Sequence, residues 1–353
     1  MRIAILAPVW FPVPPTGYGG IESVVSLLAD GLADAGHEVT LFASGDSRTR
    51  AKLASVFAEA PSSLIGSSWV DLRHAVSCYT RAAEFDVIND HSGMVAAALA
   101  GTVATPVVHT VHGPVEDIAH GNYKAIAELS PEIGFISLSL NQRKPAPELP
   151  WVANCPNALD LDSYPYHAER GEYLLFLGRF SEDKGCHRAI EVAKRAGIPL
   201  KIAGKKRDHA ELEYFDAIVR PHLGEDVEYL GETSHLTKVA LLQNARATLF
   251  PIEWEEPFGL VMIESMACGT PVIATRWGAV PEVVEHGRSG IIVDHYLDMV
   301  DAISEADALE PGECRRYAEE RFSAVRMVAD YEAVYRTVAG LRRGRSRFAP
   351  WRR

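Results

Sequence analysis

This 353-residue chain has little that would suit a disulfide framework or a zinc site. Its five cysteines, Cys78, Cys155, Cys186, Cys268 and Cys314, are odd in number, scattered and never spaced Cys-x-x-Cys. That usage fits a reducing cytosol. Basic residues are in deficit, 35 Lys and Arg against 47 Asp and Glu, a net charge of −12. General nucleic-acid binding is excluded on that ground, because neutralising phosphates takes a surplus of cations. Long apolar runs are missing too. Residues 92–115 contain no Asp, Glu, Lys or Arg, but Gly101, Pro106, His109 and His112 interrupt them. A membrane span takes about 20 mainly apolar residues, so this segment reads as a buried helix followed by a strand. The opening MRIAILAPVWFPVPP is too short and too rich in proline for a secretory apolar core. There is no repeat of 20–50 residues. The dinucleotide fingerprint G-x-G-x-x-G is also absent, since Glu22 stands where TGYGGIE would need its third glycine, which weighs against a dehydrogenase.

What is present is globular: 47% hydrophobic and 23% charged residues, at a length that predicts about two domains. RIAILAP is a continuous apolar run, the mark of a strand buried on both faces. A Pro- and Gly-rich loop follows, then Ile21, Val24, Val25, Leu28 and Leu32 at helical spacing, then the strand HEVTLFA. The second half repeats this strand, loop, helix, strand order in YLLFLGRF, SEDKG, CHRAIEVAKRA with Gly197 as its cap, and LKIAG. Two βαβ starts half a chain apart predict an α/β protein of two doubly wound, Rossmann-like domains. DVIND, PVVHTVH, GFISLS, EYLG, ATLFP, TPVIAT and GIIVD supply further strands. The predicted divisions are 1–165, 166–323 and a C-terminal helix with basic tail at 324–353. Residues 154–172, dense in Pro, Asp and Asn, read as the linker.

Ligands of open parallel sheets bind beyond the carboxyl ends of the strands, so residues just after strands carry the functional reading. The most specific segment is EEPFGLVMIESMACGTPVIAT, 255–275. Gly259 opens a helix on which Leu260 and Glu264 share a face. The N–H groups at its start, with the helix dipole, suit an anion. Glu256 before the helix and Glu264 on it would repel phosphate, so they are suited to hydroxyls. An anion site flanked by two hydroxyl-binding carboxylates describes a sugar nucleotide. In GRFSEDKG, Arg179 follows a strand and Lys184 precedes a helix. Both suit phosphate, although alone the loop reads equally well as solvated charge. Gly19 and Gly20 stand at the start of the first helix, a weak signal by itself. In HTVHGP, His112 falls at a strand's carboxyl end, whereas His109 reads as a core histidine. His91, in NDHSG, reads as a structural loop residue at least as well as a ligand. Asp160 and Asp162 spell Asp-x-Asp but lie in the linker segment, where turn formation accounts for them, so no metal site is expected.

In this order and spacing, GGIE, HTVHG, GRFSEDKG and EPFGLVMIESMACGTPV resemble glycosyltransferase family 4, of the GT-B fold, over nearly the whole chain. PPTGYGG with NDHSG resembles a bacterial sub-branch. The resemblance implies two domains facing a central cleft, with the C-terminal helix returning to the first. It implies transfer of a sugar, with retention, from a nucleotide diphosphate sugar, a UDP-sugar in preference to a GDP-sugar, as co-substrate without other cofactor. Arg179 and Lys184 would bind the diphosphate, with the backbone of Gly20 opposite. Glu264 would take the ribose hydroxyls. Glu256 and the N–H groups of Phe258, Gly259 and Leu260 would hold sugar and phosphate, and His112 would approach the sugar. A hydroxyl acceptor (glycolipid, polysaccharide precursor or small metabolite) would lie on the N-terminal domain. The alternatives are an epimerase or phosphorylase of the same fold, or a non-catalytic nucleotide-sugar-binding subunit. Finally, residues 341–353 hold six arginines and no acid, which leaves −18 on the rest of the chain. With Phe348 and Trp351 interleaved, this tail suits peripheral contact with an anionic membrane face, a plain solubilising role, or folding back onto the acidic body.

Overall fold

The structure, a computed structural model, describes residues 1–17, 19–206 and 208–345, the side chains of 341–345 excepted. The end of the basic tail, 346–353, lies outside the described residues. The chain forms two compact units, 1–158 with 324–353, and 159–323.

The first unit is built on a seven-stranded sheet of β1 (Arg2–Leu6), β2 (Glu38–Phe42), β3 (Lys52–Ala54), β4 (Val87–Asp90), β5 (Val107–Thr110), β6 (Gly134–Ser137) and β7 (Trp151–Asn154). The order is β3-β2-β1-β4-β5-β6-β7, and every pair is parallel. The apolar runs of β1, β4, β5 and β6 are buried along nearly their whole length, as expected for a parallel sheet covered on both faces. The long segment 92–115 holds a short helix, Met94–Ala97, and a single 3-10 turn, Ala100–Thr102, before its strand.

The second unit carries β8 (Tyr173–Leu177), β9 (Leu200–Ala203), β10 (Val227–Tyr229), β11 (Ala245–Phe250), β12 (Val272–Thr275) and β13 (Gly290–Val293). Their order is β10-β9-β8-β11-β12-β13, again all parallel. In each unit the first strand of the sheet is central and the connections reverse direction beside it. That reversal opens a crevice at the carboxyl ends of β1 and β4 in one unit, and of β8 and β11 in the other.

Two expectations are corrected. The division falls at 158/159, not at 165/166, and residues 154–172 are no free linker. The reason is hydrogen bonding: Leu159 N–H donates to Phe322 O at 2.9 Å. The Arg315 guanidinium gathers the carbonyls of Tyr164 at 2.6 Å and Ala267 at 2.9 Å. The segment after 158 is thereby held in the second unit. The C-terminal segment returns to the first unit, as expected. Its helix, Ala324–Arg345, packs on the helix Gly20–Asp34 of the first unit. Met327, Tyr331 and Tyr335 are fully buried there, each contributing about 1.5–3 kcal/mol. His37 Nε2 meets Glu332 Oε1 at 2.5 Å on the same seam.

Candidate functional site

Arg179 and Lys184 sit in the loop after β8, and Glu256 sits in the loop after β11, the two strands that flank the crevice of the second unit. The residues after β8 turn into the helix Cys186–Ala196 through Gly185. This brings the Lys184 ammonium onto the Glu256 carboxylate and over the Trp254 ring, 4.2 Å from its centroid. Arg179 Nε donates to Glu211 Oε1 at 2.5 Å. Glu211 belongs to the helix His209–Tyr214, whose cap is Asp208, the carboxylate accepting from Glu211 N–H at 2.9 Å.

The helix Leu260–Ala267 starts where the sequence places it, with Gly259 in a left-handed conformation at its cap (φ 83°). A side chain there would also meet Met262 and Phe250. No described residue accepts a hydrogen bond from the N–H of Phe258, Gly259 or Leu260. Those groups stand available to an anion. The Phe258 ring itself is buried and packs edge-on against Phe322, with centroids 5.8 Å apart, so its contribution to a ligand is its backbone.

Glu264 projects from the same helix. Its Oε1 accepts from Tyr164 O–H at 2.7 Å and from Lys238 Nζ at 2.5 Å. Burial and the neighbouring carboxylate push the Tyr164 phenol far up, so it stays a donor. Glu211, Lys238, Tyr164 and Trp254 form part of this site, yet the sequence reading missed them. No local signal marks them, because each meets its partner only through the fold.

The Glu256 loop is seated on the turn after β12. Ala279 N–H donates to Glu256 O at 2.9 Å. Gly278 lies so close that a Cβ there would stand 2.3 Å from Glu256 N and 2.5 Å from Glu256 O, at a φ of 55°. Gly278→Ala is therefore expected to cost more than about 1 kcal/mol and to lower turnover by displacing Glu256. Thermal unfolding and a transfer assay on one preparation check both. A variant normal in both would show that the loop does not depend on this contact.

In the first unit, Gly19 caps the helix that Gly20 opens, after the loop from β1. His91 follows β4 and His112 follows β5. The two rings meet, His91 Nδ1 lying 2.9 Å from His112 Nε2. Burial pushes His112 down to about 3 and His91 well below its ordinary value, so both are neutral at working pH. His91 is thus packed against His112. His109 is a core residue, buried, with Nδ1 2.7 Å from Asp90 Oδ2. Asp160 Oδ2 accepts from Ser163 O–H at 2.5 Å within a tight turn. All five cysteines are buried and free, and burial pushes each thiol up, which disfavours a thiolate nucleophile. No helix among the described residues is long and apolar enough to cross a membrane.

Residues 165–321 match the family described as Glycosyl transferases group 1, and residues 18–141 match Glycosyltransferase Family 4. The chain is 29% identical to the phosphatidyl-myo-inositol mannosyltransferase of Mycolicibacterium smegmatis, over 96% of this chain and 95% of that one. Among solved structures it is similar to AviGT4, a glycosyltransferase involved in avilamycin A biosynthesis. That likeness has 28% identity and a TM-score of 0.69, covering 96% of this chain and 98% of the other. It shares its fold with Anabaena HepE, solved with UDP and glucose, at a TM-score of 0.74 and 18% identity over 96% and 100%. The chain belongs to glycosyltransferase family 4, has the GT-B fold and transfers a sugar from a nucleotide sugar.

Proposed function

We propose that the enzyme is a retaining hexosyltransferase that uses a UDP-sugar, needs no divalent metal and serves a hydroxyl acceptor. The observation that carries this reading is the arrangement at the crevice of the second unit. Arg179 and Lys184 stand there with the open N–H groups of Phe258, Gly259 and Leu260 and the carboxylates Glu256 and Glu264. A diphosphate leaving group develops negative charge, and fixed cations and N–H dipoles aimed at it stabilise that charge. Glu264, held by Lys238 and Tyr164, is oriented to accept from ribose hydroxyls. Glu256 accepts from the donor sugar. Lys184 and Arg179 are already positioned by their carboxylate partners, so little reorganisation is needed when the phosphates arrive.

UDP is favoured because the structurally similar HepE has been solved with UDP and with UDP-glucose. A lipid-linked acceptor is favoured because the mannosyltransferase relative is named for a phosphatidylinositol substrate. His112 is assigned to the donor sugar, and the backbone of Gly19 and Gly20 to the phosphates. Retention then proceeds by attack of the acceptor on the face that the diphosphate leaves. The charge that a metal would otherwise supply comes from Arg179, Lys184 and the helix start.

The test is thermal unfolding with UDP, GDP, ADP and dTDP, followed by incubation with the matching sugar nucleotide in EDTA. UDP at 100 times its dissociation constant is expected to add about 2.7 kcal/mol of stability, and slow donor hydrolysis is expected to survive EDTA. Stabilisation by GDP alone would overturn the base assignment. Full loss of hydrolysis in EDTA, restored by magnesium or manganese, would overturn metal independence. A rearranged sugar nucleotide made from donor alone would favour an epimerase instead.

A further inference from the structure

His112 stands at the end of a hydrogen-bonded series that starts on the C-terminal helix. Tyr335 O–H donates to Asn89 Oδ1 at 3.0 Å. Asn89 Nδ2 lies 3.1 Å from Thr110 Oγ1 and 2.8 Å from His91 Nε2. His91 Nδ1 lies 2.9 Å from His112 Nε2. Asn89, His91, Thr110 and Tyr335 are buried, and all of these groups belong to the first unit. Residue 89 is on β4 and residue 110 on β5.

We propose that Asn89 and His91, anchored by Tyr335, are positioning residues that hold His112 as its Nδ1-protonated tautomer and present that N–H as a hydrogen-bond donor. A carboxamide nitrogen only donates, so His91 Nε2 must be an acceptor. A neutral imidazole carries one N–H, which places the His91 proton on Nδ1, where it donates to His112 Nε2. The His112 proton is then on Nδ1. No described residue accepts from His112 Nδ1.

Tyr335 decides the direction. The oxygen and nitrogen of an amide are alike in shape. With Asn89 reversed, every proton in the series would shift and His112 would carry its proton on Nε2. A buried phenol needs an acceptor for its O–H, and among the described residues Asn89 Oδ1 is the acceptor that Tyr335 has. Reversal would remove it. Burial also pushes the Tyr335 phenol up and both histidines down, so the series carries no charge. The consequence rests on the assignment of His112 to the donor sugar: His112 would donate to a sugar oxygen and would not act as a general base, because its one lone pair is already used by His91.

The test is two-bond proton–nitrogen NMR of the 15N-histidine-labelled full chain, with His112 identified by His112→Gln. The wild type is expected to show a protonated Nδ1 and an unprotonated Nε2; the reverse pattern overturns the proposal. Asn89→Asp replaces the donor by an acceptor at nearly constant shape. It should switch His112 to the Nε2–H form and lower kcat about tenfold or more, with UDP affinity little changed. A His112 tautomer unchanged by Asn89→Asp also overturns the relay. Tyr335→Phe keeps the packing and removes the anchor, so His112 should show both tautomers. A single unchanged tautomer there overturns the anchoring role, and this variant keeps the question open to measurement should Asn89→Asp not fold. His112→Gln with full transfer activity would sink the sugar assignment alone, leaving the tautomer as measured.

Discussion

Lys184→Ala is expected to lower turnover about 10²–10³-fold, the usual effect of removing one charge-stabilising donor, about 2.7–4 kcal/mol of barrier. Lys184 lies in the loop between β8 and its helix, with its side chain 19% exposed. Its ammonium is held between the Glu256 carboxylate and the Trp254 ring. The substitution therefore has a second effect. Glu256, with its side chain 11% exposed, loses its cation, and an ionised group left without its partner costs about 1–3 kcal/mol of stability. The two effects separate in the double variant Lys184→Ala, Glu256→Ala. Melting should recover, because no charge is left uncompensated, while turnover should not. Measured kcat at saturating donor within a few-fold of wild type would remove Lys184 from the phosphate role. Lys184→Arg is expected to rescue only in part, since a planar guanidinium cannot occupy the place of a compact ammonium.

Glu264→Ala should weaken UDP binding about 10–100-fold, since a hydrogen bond to a charged acceptor is worth about 1.5–3 kcal/mol. The carboxylate is nearly buried, and its Oε1 already accepts from Tyr164 and Lys238. Removing it leaves a buried phenol and a part-buried ammonium unpaired, so the melting temperature should fall as well. Glu264→Gln keeps the shape and one acceptor and is expected to lie between wild type and Glu264→Ala in both properties. Calorimetric titration with UDP decides the role. A lower melting temperature with unchanged UDP affinity would leave Glu264 a structural residue that ties the segment around Tyr164 to the helix.

The parts of this site that the sequence displayed are those whose signal is local. A glycine before an apolar helix, a carboxylate four residues after Leu260, and cations on the short loop between β8 and its helix can all be read within a window of ten residues. The partners of those groups lie 26 to 100 residues away. Lys238 carries no local mark of a ligand role, and Tyr164 fell in a segment read as linker. Residues 154–172 misled for the same reason. Their composition is that of a loop, but the hydrogen bonds of Leu159 and the carbonyl of Tyr164 are taken by residues near 315–322.

The strand and helix periods, the glycine caps and the order of elements were determined by the sequence itself, because buried parallel strands must be apolar throughout and helix ends need particular residues at fixed offsets. The tertiary structure alone decided where the units divide and which charges are paired. It also decided that His91, which looked like a loop residue, is hydrogen-bonded to His112 and tied through Asn89 to Tyr335, which lies 246 positions from Asn89. Pairing of this kind depends on distances across a folded sheet, and a residue's chemical type does not encode its distance from a partner so far along the chain.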